Sequence, residues 1–372
     1  MKWYFIVYFF FMLMSASAQY KPDSTFTIKG DIKGIRSSKV YLIESHYYDN
    51  FLDSTAYLNH HFLFRLPTKP YLNMMANIAY IDSVTHQIKT LQYINHVLTS
   101  KAEKYSIGYF IVDGADIAMN GAIHMDDSLR YDSVHISAGK ETEALYATQM
   151  MEFGYLVPDS SNRIAQLNSY IAIIDSYPSS QYLLYKIHEN KSVIYKKELV
   201  LLLSHFKRLA LKSNIGNNLT SYTNNKVDHP VLPNQLLEDA QGYSKNLYDT
   251  LSKLNMLVLW ASWCAPCRIE ISVVKKIYER YKNKGVNIVS VSLDKNKEDW
   301  QAALEEEEME WLQLIDPPGN NNNGISPEID LGPLPYVIFL DNKGKMLYRF
   351  IGIQNDSFDQ YKKIIEDYLG TH

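Results

Sequence analysis

Cysteine is almost absent. The chain has 372 residues and two cysteines, Cys264 and Cys267. So few cysteines exclude a disulfide-stapled scaffold. They also argue against a structural zinc site, which wants four ligands. Histidine does not fill the gap, because none occurs between His229 and the terminal His372. An excess of one charge is lacking too. The 37 basic and 41 acidic residues are interspersed and leave a net charge of −4. Nothing in that balance points to a nucleic-acid surface. The N-terminal apolar run, Trp3–Met14, has only twelve residues. A membrane span wants about 20.

That run has another reading. Lys2 precedes it and Ala16-Ser17-Ala18 follows it. A basic n-region, a short apolar stretch and an A-x-A site make a secretory signal. Residues 1–18 are therefore read as a signal peptide, with an uncleaved anchor as the competing reading. No cysteine follows the run, so a lipoprotein anchor has no acceptor. Export leads to a compartment where disulfides persist. An exported chain whose two cysteines share one motif uses them for chemistry rather than stapling.

The motif is Trp260–Arg268, Trp-Ala-Ser-Trp-Cys-Ala-Pro-Cys-Arg. Met256–Trp260 before it is an apolar run of strand length. Ile269, Val273, Ile277 and Tyr281 after it stand four apart, one face of a helix over Arg268–Lys282. The cysteines thus fall where a strand ends and a helix begins. A helix N-terminus carries unpaired N–H groups and partial positive charge. A cysteine in such a place ionises readily, with a pKa of roughly 3.5–7.5. Cys264 is expected to be the exposed, ionised thiol, and Cys267 the one that resolves the mixed disulfide. An inert structural bridge competes with this reading. It would close so short a loop that its entropic gain is small.

Trp-Cys-Ala-Pro-Cys after an apolar strand resembles the active site of the thioredoxin superfamily. The longer string Leu259–Glu270 resembles the TlpA-like thiol-disulfide oxidoreductases. The resemblance spans roughly 228–370. It implies a thioredoxin fold, a central mixed sheet flanked by helices. It implies that Pro335, in Leu334-Pro335-Tyr336, forms a cis bond and lies against the cysteines. It also implies a substrate-binding rim made by Trp263, Ala265, Pro266 and Leu334. The chemistry it implies needs no cofactor beyond the Cys264–Cys267 disulfide. Three departures stand out. Val258 occupies the place of a buried aspartate found in thioredoxin. Ala265 stands where relatives can carry a glutamate, and Ser272 where many have a proline. No obvious base then serves Cys267. Glu270, three residues on, is the candidate, against the plainer reading of an exposed salt-bridging glutamate. Arg268 and the run Glu305–Glu308 are read as solvent-facing.

The remaining chain orders itself around this domain. Residues 22–136 read as a β-rich accessory domain, with alternation at Thr25–Lys29 and Phe62–Leu66. Within them, Thr25–Gly34 followed by Val40–Ile43 resembles the small β domain of unknown function that often precedes TlpA-like domains in exported proteins. His60-His61 are read as strand residues pointing to opposite faces. Residues 140–215 carry helical spacing in Glu141–Phe153, Asn162–Asp175 and Gln181–Leu211. Residues 216–227 read as a linker. Residues 228–372 should run β-α-β-α-β-β-α, the thioredoxin order.

The expected fold is α/β, a C-terminal thioredoxin fold preceded by a β-rich domain and a helical segment. The expected function is an exported thiol-disulfide oxidoreductase of the periplasm or cell envelope. Its expected partners are disulfide-containing envelope proteins and a membrane electron donor. Nucleic acid is not expected, and membrane contact only through an uncleaved N-terminus. Three readings stay open: an oxidase or isomerase on the same fold, a thiol peroxidase, and an envelope ligand-binding protein with a vestigial redox domain. The Pro-x-x-x-Thr stretch common in thiol peroxidases is not found before Cys264.

Overall fold

The computed structural model describes residues 24–45, 50–98, 105–126, 129–151, 153–156, 162–316, 325, 329, 334–353 and 356–371. The expected signal peptide lies outside them.

The chain divides into two compact units. The first holds the β-rich part and most of the helical segment. Thr25–Lys33 pairs parallel with Ile117–Asp126 and antiparallel with His61–Pro67. A second sheet joins Phe51–Ala56, Lys39–Glu44, Met75–Ile81 and Ile88–Thr90. Phe26, Ile28, Ile32, Phe64 and Leu66 from the first sheet share one apolar core with Val40, Leu42 and Ile78 from the second. The period-2 pattern dictates this, since alternate residues point to one face. Gly30 is required here. A Cβ at that position would lie 2.1 Å from the Phe62 ring.

Sequence and structure differ at several points in this unit. His60 is not in a strand; it has φ 72° in the turn before His61–Pro67. The stretch Gln181–Leu211, expected to be helical, forms three helices, Gln181–Asn190, Lys196–Ser204 and Arg208–Leu211. Residues 216–227, expected as a linker, fall largely in a helix, Asn214–Asn225. Its Asn, Ser and Thr content suggested a loop. Ile215, Leu219 and Thr223, four apart, bury one face and override that propensity.

The second unit joins residues 226–372 with the short stretches 156–164 and 190–196. Arg163 ties the two stretches together. Its guanidinium donates to the carbonyls of Leu156 at 2.8 Å and Val193 at 3.0 Å. It also stacks 4.5 Å from the Tyr195 ring. The domain therefore takes in more chain than the stretch from 228.

Its elements are β1 (Leu236–Asp239), β2 (Ser244–Asn246), β3 (Leu254–Trp260), α1 (Ala265–Tyr281), β4 (Val286–Ser292), α2 (Lys297–Glu307), β5 (Leu312–Ile315), β6 (Tyr336–Asp341), β7 (Met346–Ile351) and α3 (Ser357–Thr371). The sheet order is β2-β1-β5-β4-β3-β6-β7. β3 and β4 are parallel, β3 and β6 antiparallel. A helical crossover makes the first pair parallel. This is the mixed sheet of a thioredoxin fold. The strand β5 and the β1–β2 hairpin are additions to the expected order. β5 is four residues long, too short for its periodicity to stand out. Every residue of β3 is buried, so the site rests on the centre of the sheet.

Candidate active site

β3 runs out at Trp260, and the chain turns at once into α1. The Cys264 N–H donates to the Ala261 carbonyl at 3.0 Å, closing that turn. Cys264 is the N-cap of α1, with extended backbone. Pro266 sits in the first turn, where a missing N–H costs nothing. The Cys267 N–H points at the Cys264 sulfur, 3.2 Å away. The same N–H also donates to the Cys264 carbonyl at 3.0 Å, so the first turn of the helix shares this donor between that carbonyl and the sulfur that would carry the thiolate charge. The two cysteines form a disulfide with S–S 2.07 Å.

Burial corrects one expectation. Cys264 is 5% exposed and Cys267 1%. The order is as expected, but Cys264 is not an open thiol. Capping draws its sulfur toward the helix and into the apolar cluster that Leu334 borders. The exposed surface belongs to its neighbours. Trp263 is 52% exposed and Ile269 60%, and Ala265 and Pro266 are exposed as well. Ile269 was expected on the core face. That face is carried instead by Cys267, Ile271, Val274, Ile277 and Tyr281.

The Leu334–Pro335 peptide is cis. β6 begins one residue later, where Tyr336 pairs with Leu259 of β3. Register therefore sets Pro335 level with Trp260, at the end of β3 that leads to Cys264. The Pro335 carbonyl accepts from Gly352 N–H at 2.8 Å.

Two charged residues lie elsewhere than expected. Arg268 does not point freely to solvent. Its Nη1 pairs with Glu306 at 2.5 Å and Glu307 at 3.0 Å, at the end of α2. Its Nε and Nη2 donate to the Ser262 carbonyl, each at 3.3 Å. The acidic run is thus partly a counter-ion, not only a solvated helix end. Glu270 is 1% exposed, which replaces the reading of an exposed ion-pairing glutamate. Ser357 Oγ donates to its Oε2 at 3.2 Å. Burial pushes the Glu270 carboxyl above its ordinary range, and the hydroxyls of Tyr361 and Ser357 pull it partly back. It lies on the same helix as Cys267, three residues on, which puts the two on neighbouring positions of one face.

Sequence reasoning passed over Asp294 and its partner Ser262. Asp294 follows β4, is 2% exposed, and binds Ser262 just ahead of the cysteines. An acidic residue ending an apolar strand was the available signal.

Comparison with known proteins agrees with this geometry. The Redoxin family model matches residues 226–365. The chain is 28% identical over 137 residues to the thiol-disulfide oxidoreductase ResA of Bacillus cereus, covering 37% of this chain and 73% of that protein. It is 27% identical over 153 residues to ResA of Oceanobacillus iheyensis, covering 41% and 78%. Among solved structures, a thioredoxin domain of a Bacteroides vulgatus thiol-disulfide oxidoreductase matches with TM-score 0.33 and 27% identity, over 37% of this chain and 96% of that one. A Bacteroides fragilis thiol-disulfide oxidoreductase matches with TM-score 0.32 and 26% identity, over 37% and 99%. Residues 226–365 thus match the Redoxin family and carry the mixed sheet of a thioredoxin fold, similar in sequence to thiol-disulfide oxidoreductases, with a β-rich stretch before them in the chain.

Proposed function

We propose that this chain is an exported reductant of disulfides in cell-envelope proteins. One observation carries the chemistry: the Cys267 N–H directed at the Cys264 sulfur at the head of α1. The N-terminal sequence supports export, through Lys2, the run Trp3–Met14 and Ala16-Ser17-Ala18. Cys264 attacks a substrate disulfide and forms a mixed disulfide. Cys267 then displaces the reduced substrate and closes the Cys264–Cys267 bond. The Leu334–Pro335 backbone and the rim of Trp263, Ala265 and Pro266 receive the substrate strand. A reductant outside the cytosol must be recharged, so a membrane electron donor is its second partner.

The test is insulin reduction beside peroxide consumption by the full chain. Insulin turnover without peroxide turnover is expected. Peroxide turnover alone would make it a thiol peroxidase. Neither activity would favour a binding protein with a vestigial redox domain.

Glu270 serves in this scheme as the proton acceptor for Cys267. A general base contributes typically 10²–10⁴-fold. Glu270→Gln should cut insulin turnover by about a hundredfold at pH 7, the low side of that range. The same change should stabilise the fold. The folded Glu270 has a raised pKa, so between the unfolded and folded values the native state holds more protons. Stability is then full below the unfolded pKa and falls as pH rises through the folded one. Gln has no such loss. The melting temperature of the variant should exceed wild type at pH 8, with a smaller gap at pH 5. Equal turnover, or a gap that does not change with pH, would remove Glu270 from this role.

A further inference from the structure

Ser262 stands two residues before Cys264 and is held from both sides. Its N–H donates to the Asp294 carboxylate at 2.9 Å, and its hydroxyl donates to the same carboxylate at 2.7 Å. Its carbonyl accepts from Arg268, itself held by Glu306 and Glu307. β4, α1 and α2 therefore meet on one residue of the turn that presents the nucleophile. The Leu293 N–H, next to Asp294, donates to the Trp260 carbonyl at 2.9 Å and keeps the two chain segments together.

Asp294 is unusual for a buried acid. It is 2% exposed. The groups bonded to its carboxylate are all neutral: the Ser262 amide and hydroxyl, and the Ser292 hydroxyl at 2.6 Å. Three donors suit an ionised carboxylate. That charge is bonded to Ser262, which stands two residues before Cys264. The disulfide carries no charge, whereas the reduced site gains a thiolate. A fixed negative charge held on the turn that leads into Cys264 disfavours the thiolate more than the disulfide. The other charged groups around the turn are Arg268 and Glu270 from α1, and Glu306 and Glu307 from α2. Arg268 is matched by its two glutamates, so it does not offset Asp294.

We propose that Asp294 is a positioning residue for the thiol chemistry: it pins Ser262, fixes the turn that aims Cys264, and holds the site toward its disulfide form. This rests on the oxidoreductase reading of Cys264. It deepens that reading by adding a residue from another strand that sets both aim and direction.

The test compares Asp294→Asn and Asp294→Glu in the full chain. Iodoacetamide labelling of reduced Cys264 is followed across pH by mass spectrometry. Asp294→Asn should lower the Cys264 pKa by about one unit, a tenfold change in its ionisation constant. Asp294→Glu keeps the charge and should stay near wild type. A merely structural residue would give the same profile in both variants. A folded Asp294→Asn chain within about 0.2 unit of wild type overturns the proposal. If circular dichroism shows that Asp294→Asn does not fold, Ser262→Ala decides. It keeps the charge and loosens the turn, so attack on insulin should fall several-fold while small-molecule labelling holds. Unchanged attack on insulin then overturns the proposal. Labelling needs no disulfide substrate, so a failure of the oxidoreductase reading would show separately, as absent insulin turnover in the wild-type chain.

Discussion

Cys264→Ser should abolish disulfide reduction, and Cys267→Ser should turn catalysis into capture of a mixed disulfide. The first change removes the nucleophile. The second leaves it in place and removes the thiol that releases the substrate. The assignment rests on the helix cap: the Cys267 N–H lies 3.2 Å from the Cys264 sulfur. Cys264 is also the more exposed of the two, though both are largely covered. In the reduced wild-type chain, iodoacetamide should label Cys264 at least roughly tenfold faster than Cys267 near pH 7, because the lower-pKa thiol holds more thiolate. Equal rates, or faster labelling of Cys267, would reverse the roles. In intact cells the Cys267→Ser chain should accumulate envelope partners in reducible adducts. Adducts on Cys264→Ser instead would mean the same reversal.

The reduction potential should lie nearer −270 mV, the thioredoxin value, than about −120 mV, the strong-oxidase value. These differ by about 150 mV, which is about 7 kcal/mol for a two-electron couple. A strong oxidant reaches its end of that scale by stabilising its reduced form. This site has few means to do so. Ala265 brings no charge, and Pro266 has no backbone N–H to donate. Arg268, the nearby cation in the motif, is engaged by Glu306 and Glu307. The helix dipole remains, worth about 0.3–1 kcal/mol and up to roughly 2 in a partly buried site. That falls well short of 7. A redox titration against glutathione or dithiothreitol measures the potential, and acid trapping in cells gives the resting form. A potential above about −180 mV, the isomerase value, with a mostly oxidised resting population would reverse the direction of electron flow.

The sequence alone determined the Cys-Ala-Pro-Cys segment and its setting. An apolar strand, a Cys-Ala-Pro-Cys turn and an amphipathic helix are local patterns, and local periodicity reports them directly. The parallel β3–β4 pair followed, because a helix between two strands forces a crossover. Family resemblance, not periodicity, singled out Leu334–Pro335. The tertiary structure decided what local pattern cannot encode. Ile269 sits one step off the buried stripe that Ile271, Val274, Ile277 and Tyr281 define, and only the neighbouring elements set that rotation. Residues 216–227 are polar by composition, yet a buried face made most of them helix. Glu270 is buried beside Ser357, 87 residues away in sequence. Arg268 meets Glu306 across 38 residues, and Ser262 meets Asp294 across 32. Each depends on which helix or strand end packs beside the motif. The sequence placed the two sulfurs. Folding placed the buried acid, the compensated cation and the carboxylate that pins the turn, since burial and charge pairing are properties of neighbours brought together by the chain's path.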